Sequence, residues 1–101
     1  MAISSSVSAD GSQLTIAVEG RFDFSSHQAF RMAYEKLPKV PTLFRVDLRD
    51  ATYLDSSALG MLLLLRDYAG GDKASIEIIN CSPDVKKILT ISNFEQLFTI
   101  L

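Results

Sequence analysis

The sequence predicts an α/β fold built on a mixed β-sheet of four or five strands. Three observations carry that reading. Apolar residues alternate with polar ones in several short stretches, the period of a strand, and recur at three and four residues between them, the period of a helix. The turn signal Ala9-Asp10-Gly11-Ser12 separates the first two strand-like stretches and favours a hairpin. The strand–helix–strand order that follows requires parallel neighbours, so the initial hairpin makes the sheet mixed.

Each element has a local cause. Leu14, Ile16 and Val18 alternate with Thr15, Ala17 and Glu19, a half-buried strand that Gly20 ends. Ser25-Ser26-His27-Gln28 has the form of a capping box, with Ser25 as N-cap and Gln28 three residues later. Phe30, Ala33, Tyr34 and Leu37 follow at helical spacing, and Pro38 and Pro41 close that helix. Phe44, Val46 and Leu48 alternate as a central strand. The helix after Asp55 runs to about Ala69, where Gly70-Gly71 stop it. Ile76, Ile78 and Ile79 give another strand. Ser82-Pro83-Asp84 opens a third helix with a Ser N-cap, Pro in the first turn and an acid beside it; Val85, Ile88 and Leu89 are its apolar face. Leu97 to Leu101 can add a last short strand, giving the order β-β-α-β-α-β-α-(β).

Composition bounds the function. The 101 residues suit one domain over residues 1–101, and 48% hydrophobic content suffices for a core. Ten basic against twelve acidic residues leave a net charge of −2, which argues against direct nucleic-acid binding. A single cysteine, Cys81, excludes an intrachain disulfide framework and fits a reducing compartment. Residues 1–12 lack the basic start and apolar run of a secretory signal. The longest apolar run, Met61 to Leu65, is far shorter than the ~20 residues that span a bilayer. The expectation is a soluble cytoplasmic domain.

The second helix has an unusual phase. Ala58, Leu62, Leu65 and Ala69 form one stripe with Met61 at its flank, the face to bury against a sheet. Ser56, Leu59, Gly60, Leu63 and Asp67 fall on the opposite side, where charges are the rule. Either another helix covers those leucines or they form an exposed apolar patch for a partner.

Asp55-Ser56-Ser57-Ala58-Leu59-Gly60 holds the candidate chemistry. One Asp or Ser suffices to cap a helix, yet three eligible residues stand in a row. Capping is the commoner use of such residues; a functional hydroxyl at an anion-favouring helix start is the rarer one. A small serine hydrolase would need a base beside Ser56 or Ser57. His27 is the only histidine, and no Gly-x-Ser-x-Gly elbow exists. Asp23 and His27 are four apart but straddle a helix boundary, no Cys/His cluster offers a metal site, and phosphate-loop and dinucleotide fingerprints are absent. Cys81, after a strand, reads as a small buried hydrophobe. Neither an enzyme nor a cofactor is expected.

Asp55-Ser56-Ser57-Ala58-Leu59-Gly60, after the Leu43 to Leu48 strand, resembles the signature of STAS domains, specifically the stand-alone bacterial anti-sigma factor antagonists. Gly20-Arg21-Phe22-Asp23 resembles a second element of that family, and Ser82-Pro83-x-Val85 with Phe94 to Phe98 its closing segment. Ala58 stands where many members have Gly. The resemblance implies a mixed sheet with helices mainly on one side. It also implies partner switching: the unphosphorylated antagonist binds an anti-sigma factor, often itself a serine kinase, or a related regulator. Phosphorylation blocks binding, and a phosphatase resets the protein. Members linked to transporters carry membrane spans. The first hydroxyl after the Asp is the modified one, which matches Ser56. Asp23, Phe24, Ser25, Asp55, Ser57, Leu59, Gly60 and Leu63 are the expected partner surface. The competing readings are a constitutive scaffold and a module for a small ligand or nucleotide.

Overall fold

The computed structural model describes residues 3–101. Strands β1 (Ile3–Val7) and β2 (Gln13–Val18) form the antiparallel hairpin, with Ile3 opposite Val18 and Val7 opposite Leu14. Asp10 sets the turn: its Oδ1 accepts from the Ser8 hydroxyl at 2.8 Å, the Ser12 hydroxyl at 2.7 Å and the Ser12 amide at 3.0 Å. After Val18 the chain bends at Gly20, whose φ of +78° is the left-handed region that costs other residues most. Strand β3 (Gly20–Phe22), a single 3₁₀ turn over Phe24–Ser26 and helix α1 (His27–Glu35) follow. Next come β4 (Leu43–Asp47), β5 (Ala51–Leu54), helix α2 (Ser56–Ala69), β6 (Ile76–Ile79), helix α3 (Pro83–Ile91) and β7 (Thr99–Ile100).

The main sheet has the order β1-β2-β4-β6-β7, antiparallel at β1 and parallel elsewhere. This is the mixed five-stranded sheet that the alternating pattern predicts. Its inner face is Leu14, Ile16, Val18, Phe44, Val46, Ile76 and Ile78, all buried. Onto it pack Phe30 and Tyr34 of α1 and Ala58, Met61, Leu62 and Leu65 of α2. The two helices also meet, Tyr34 against Tyr68 at 4.9 Å between ring centres. The outer face mixes polar residues with Ala17, Leu43 and Ile79; there Arg45 and Glu77, paired in register, form a 2.9 Å ion pair.

The sequence pattern did not separate a second, two-stranded sheet. β3 and β5 pair in parallel, Phe22 beside Leu54. They are the bent continuations of the two central neighbours, β2 and β4. Gly20 makes one bend. A tight turn makes the other, with the Arg49 amide on Asp47 Oδ1 at 3.0 Å and the Ala51 amide on the Leu48 carbonyl at 3.2 Å. The Gly20 amide donates to the Asp50 carbonyl at 2.8 Å and ties the bends together. Gly20 therefore does not end the strand region, as its composition suggests, but opens a further strand. The last strand is shorter than the Leu97 to Leu101 stretch, because a 3₁₀ turn takes Phe94–Gln96 and leaves only Thr99–Ile100 to pair with β6.

Helix α2 obeys the predicted phase. Ala58, Met61, Leu62 and Leu65 are buried, while Leu63 is 41% exposed. Leu59, on the outer side by helix phase, is partly buried against the core. Gly70 ends the helix in the left-handed conformation, its amide bonded to the carbonyls of Arg66 and Asp67. Helix α3 starts as read, with Ser82 Oγ accepting from the Val85 amide at 3.2 Å and Pro83 in the first turn. Cys81 is half-buried, and burial pushes its thiol pKa up, away from a reactive thiolate.

Adjacent leucines of α2 should therefore behave oppositely. Leu62→Ala is expected to lower the unfolding free energy by about 2–5 kcal/mol, through lost burial and the cavity left behind. Leu63→Ala should stay within about 0.5 kcal/mol of wild type. Urea unfolding followed by circular dichroism checks both, and equal losses would mean that the helix phase is misassigned.

Candidate functional site

The β3–β5 pair delivers two chain segments side by side. Phe22 and Leu54 are neighbours in register and both fully buried, so the next residues, Asp23 and Asp55, emerge together at the same end. Each aspartate then caps the helical turn that follows. Asp55 Oδ1 accepts from the Ser57 hydroxyl at 2.6 Å and from the Ala58 amide at 3.0 Å. Asp23 Oδ1 accepts from the Ser25 hydroxyl at 2.5 Å and from the Ser25 amide at 3.0 Å. The local pattern is the same twice: apolar residue, Asp, any residue, Ser.

This corrects the capping-box reading of Ser25. The first helical turn starts earlier than His27, as 3₁₀, and Asp23 is its cap. Ser25 donates to that cap instead of acting as one. Ser26, the residue before α1, makes no side-chain capping bond; it is buried, and its hydroxyl reaches the Arg21 carbonyl at 3.5 Å. His27 is half-buried, stacked on the Phe24 ring at 5.9 Å. Among the described residues it makes no hydrogen bond with Ser56 or Ser57.

The open choice of cap at α2 is also decided. Asp55 caps, and Ser57 spends its hydroxyl proton on Asp55. Ser56, the first residue of α2, is exposed, and its hydroxyl has no hydrogen bond to any described residue. It occupies the middle position of its Asp-x-Ser unit. The equivalent position in the other unit is Phe24, 74% exposed.

Charge at this end is balanced finely. The Ser57 hydroxyl and Ala58 amide hold the Asp55 carboxyl below its ordinary pKa, while the neighbouring Asp23 charge opposes them. The Ser25 hydroxyl and amide, with Arg21, do the same for Asp23. Arg21 Nε lies 3.3 Å from Asp23 Oδ2, and its guanidinium sits 4.7 Å over the Tyr53 ring on the adjacent strand. Arg21 and Tyr53 thus belong to the site, a pairing that needs the β3–β5 register to be visible.

Leu59, Gly60 and Leu63 continue from Ser56 along α2. Leu63 is exposed, and Leu59 and Gly60 are half-buried. Gly60 lies within the helix, where Gly is about 1 kcal/mol worse than Ala. A Cβ placed there would meet nothing within 4 Å, so no intrachain packing requires the glycine.

The chain belongs to the STAS domain family: the family model described as "Mlab, STAS domain" matches residues 5–101. It is 66% identical over 100 residues to a STAS-domain containing protein of Pseudomonas aeruginosa (strain UCBPP-PA14), covering 99% of both chains. Among solved structures it resembles the anti-sigma factor antagonist SpoIIAA in its unphosphorylated form, with a TM-score of 0.71 and 16% identity over 99% of this chain and 87% of that one. It also resembles a sulfate transporter family protein from Wolinella succinogenes, with a TM-score of 0.75 and 13% identity over 93% of this chain and 80% of that one. At such identities these likenesses define the fold, and one fold hosts several roles. Among the described residues no helix is long and apolar enough to cross a membrane.

The cap carboxylates give the fold an acid dependence. The folded chain holds Asp23 and Asp55 below their unfolded pKa of about 4, so the unfolded chain takes up protons first as pH falls. Their stabilisation is complete above about pH 5 and is lost as the pH drops through and below the carboxylate range. Asp55→Asn should flatten the fall of melting temperature between about pH 5 and pH 2. Parallel curves for variant and wild type in a pH series of thermal melts would show that the Asp55 charge is uncoupled from folding.

Proposed function

We propose that this chain is a cytoplasmic anti-sigma factor antagonist that acts by partner switching, with Ser56 as the phosphorylated residue. The observation that carries the reading is the division of labour at the start of α2. The cap is already made by Asp55 and Ser57, which leaves Ser56 exposed with an uncommitted hydroxyl. In the proposed cycle an anti-sigma factor, or a related signalling regulator, docks on the unphosphorylated face. A cognate serine kinase, which can be that same factor, adds the phosphate, and a phosphatase removes it.

The docking surface is Asp23, Phe24 and Ser25 from one capped turn with Asp55, Ser57, Leu59, Gly60 and Leu63 from the other. Phe24 and Leu63 supply exposed apolar anchors, and aromatic anchors commonly dominate such interfaces. Gly60, unneeded by the fold, suits the close approach of a partner backbone.

The physics of the switch follows from position. A phosphate on Ser56 adds about −1.5 to −2 charges. The free N–H groups and positive dipole end of α2 tolerate it, so the fold persists. A docked partner would instead have to desolvate a dianion beside Asp55 and Asp23, at a cost of several kcal/mol unless a cation pairs with it. Phosphate therefore blocks the interface directly.

Incubation with lysate of the source cells and ATP should add one phosphate to wild type and none to Ser56→Ala, read by intact mass. Phosphate on the Ser56→Ala chain would sink the site assignment. In pull-downs, Ser56→Ala should retain the partner and Ser56→Asp should lose most of it; equal recovery would refute the blocking mechanism.

Gly60→Ala separates stability from docking. It should raise unfolding free energy by about 0.5–1 kcal/mol and weaken partner binding. A variant that is both more stable and fully competent to bind would remove Gly60 from the interface.

A further inference from the structure

A second surface with unused backbone groups lies at the β1 edge of the main sheet. Among the described residues β1 pairs only with β2, which leaves its other edge free over the five residues Ile3–Val7. The phase of that edge follows from one bond. The Ser8 amide donates to the Gln13 carbonyl at 2.9 Å, just beyond the Val7–Leu14 pair. In an antiparallel ladder bonded pairs recur at every second residue, so Ser6–Thr15 and Ser4–Ala17 are the bonded pairs. Ile3, Ser5 and Val7 therefore turn their N–H and C=O groups outward.

Edge strands usually carry a charge, a proline or a bulge that discourages further pairing. β1 has none of these. It is Ile-Ser-Ser-Ser-Val, uncharged, with an unbroken register to β2. The segment also reads almost alike in both directions about Ser5. A strand with that symmetry is self-complementary when laid antiparallel on itself, the requirement of a two-fold interface. Centred on Ser5, the pairing sets Ser5 against its counterpart and Ile3 against Val7 in both directions. All three are the residues whose backbone groups face outward.

The surroundings fit the same geometry. A groove of about 530 Å³ runs between β1 and α1, lined by Ile3, Ser5, Ala29, Met32, Ala33 and Lys36 among others. Met32, in the groove, is 41% exposed, and Val7, at the other end of β1 from Ile3, is 43% exposed. The two-fold axis makes the two α1 helices antiparallel across the junction. It holds the two copies of Lys36, the only charged side chain among the described residues lining the groove, apart from each other.

We propose that the occupant of this edge is a second copy of the chain, joined β1 to β1 across a two-fold axis at Ser5, so that two sheets become one continuous sheet. Each of three residue pairs exchanges two main-chain bonds. At about one hydrogen bond per 100–200 Å², this corresponds to roughly 600–1,200 Å², at or below the lower end of stable interfaces. The dimer is accordingly reversible and concentration-dependent. It lies on β1, not at the start of α2; its groove reaches Ser25, but it makes no use of the Ser56 hydroxyl.

Sedimentation equilibrium over a wide concentration range should show the mass rising from 11.1 kDa towards twice that value. Ser5→Pro should remain monomeric throughout yet melt close to wild type, because the Ser5 N–H serves no intrachain bond and proline is tolerated on an outward edge. Ser4→Pro, which deletes a bond to Ala17, should melt clearly lower, and this checks the phase of the edge. In a Cys81→Ser background, Ser5→Cys should cross-link to itself under oxidation far more than Ser4→Cys, which would face Ser6 of the other copy. A chain monomeric at its solubility limit, even one whose edge captures a foreign extended peptide, overturns the proposal. So does a dimer unaffected by Ser5→Pro, or equal cross-linking at both positions.

Discussion

The pairing of β3 with β5 is the constraint on which the rest of the site depends. It is short, three residues against four, and its register is fixed by two buried side chains, Phe22 and Leu54. Everything beyond those residues inherits that register. Two aspartates emerge side by side, and their mutual repulsion is tolerated only because each carboxylate is held by a hydroxyl and an amide of its own turn. Arg21, stacked on Tyr53, adds a cation beside Asp23. A carboxylate that accepts charge-assisted bonds can remain ionised beside a like charge, whereas a bare pair would drive one partner to protonate.

Much of the fold was legible in the sequence because burial imposes periodicity. The strands at Leu14, Phe44 and Ile76 and the phase of α2 follow from which residues face the core. The third helix was legible because its cap uses local chemistry, Ser82 and Pro83. The second sheet was not. Three- and four-residue strands are too short to show alternation, and the bends at Gly20 and Leu48 look like strand ends. Ser25 was misread for a related reason: Ser-x-x-Gln is a valid capping pattern, but the chain begins its helical turn earlier, on Asp23. The repeated unit, Phe22-Asp23-x-Ser25 and Leu54-Asp55-x-Ser57, is the signal that would have revealed both the true cap and the pairing.

Helix α2 shows how one element serves two masters. Its inner stripe is specified by the core and leaves little latitude. Its outer residues are under no such demand: Leu63 is exposed, a side chain at Gly60 would touch nothing, and Ser56 bonds to nothing described. Residues that weaken or do not help a fold, yet cluster on one face, are the mark of a surface shaped by something outside the chain. The fold is shared with an anti-sigma factor antagonist and a sulfate transporter family protein, so the fold by itself does not choose a role, and a role is argued from such surface residues instead.

The register of Phe22 with Leu54 has a consequence for when the site exists at all. The two halves of the surface come from positions thirty-two residues apart, joined only by non-local pairing. Closing a loop of that length costs about 3 kcal/mol of chain entropy before any contact repays it. In an unfolded or half-synthesised chain, Asp55-Ser56-Ser57 is only a polar tripeptide with no Asp23 or Phe24 beside it. The proposed composite surface thus exists only where β3 and β5 have paired, and a partner that required both halves would pass over chains in which they have not.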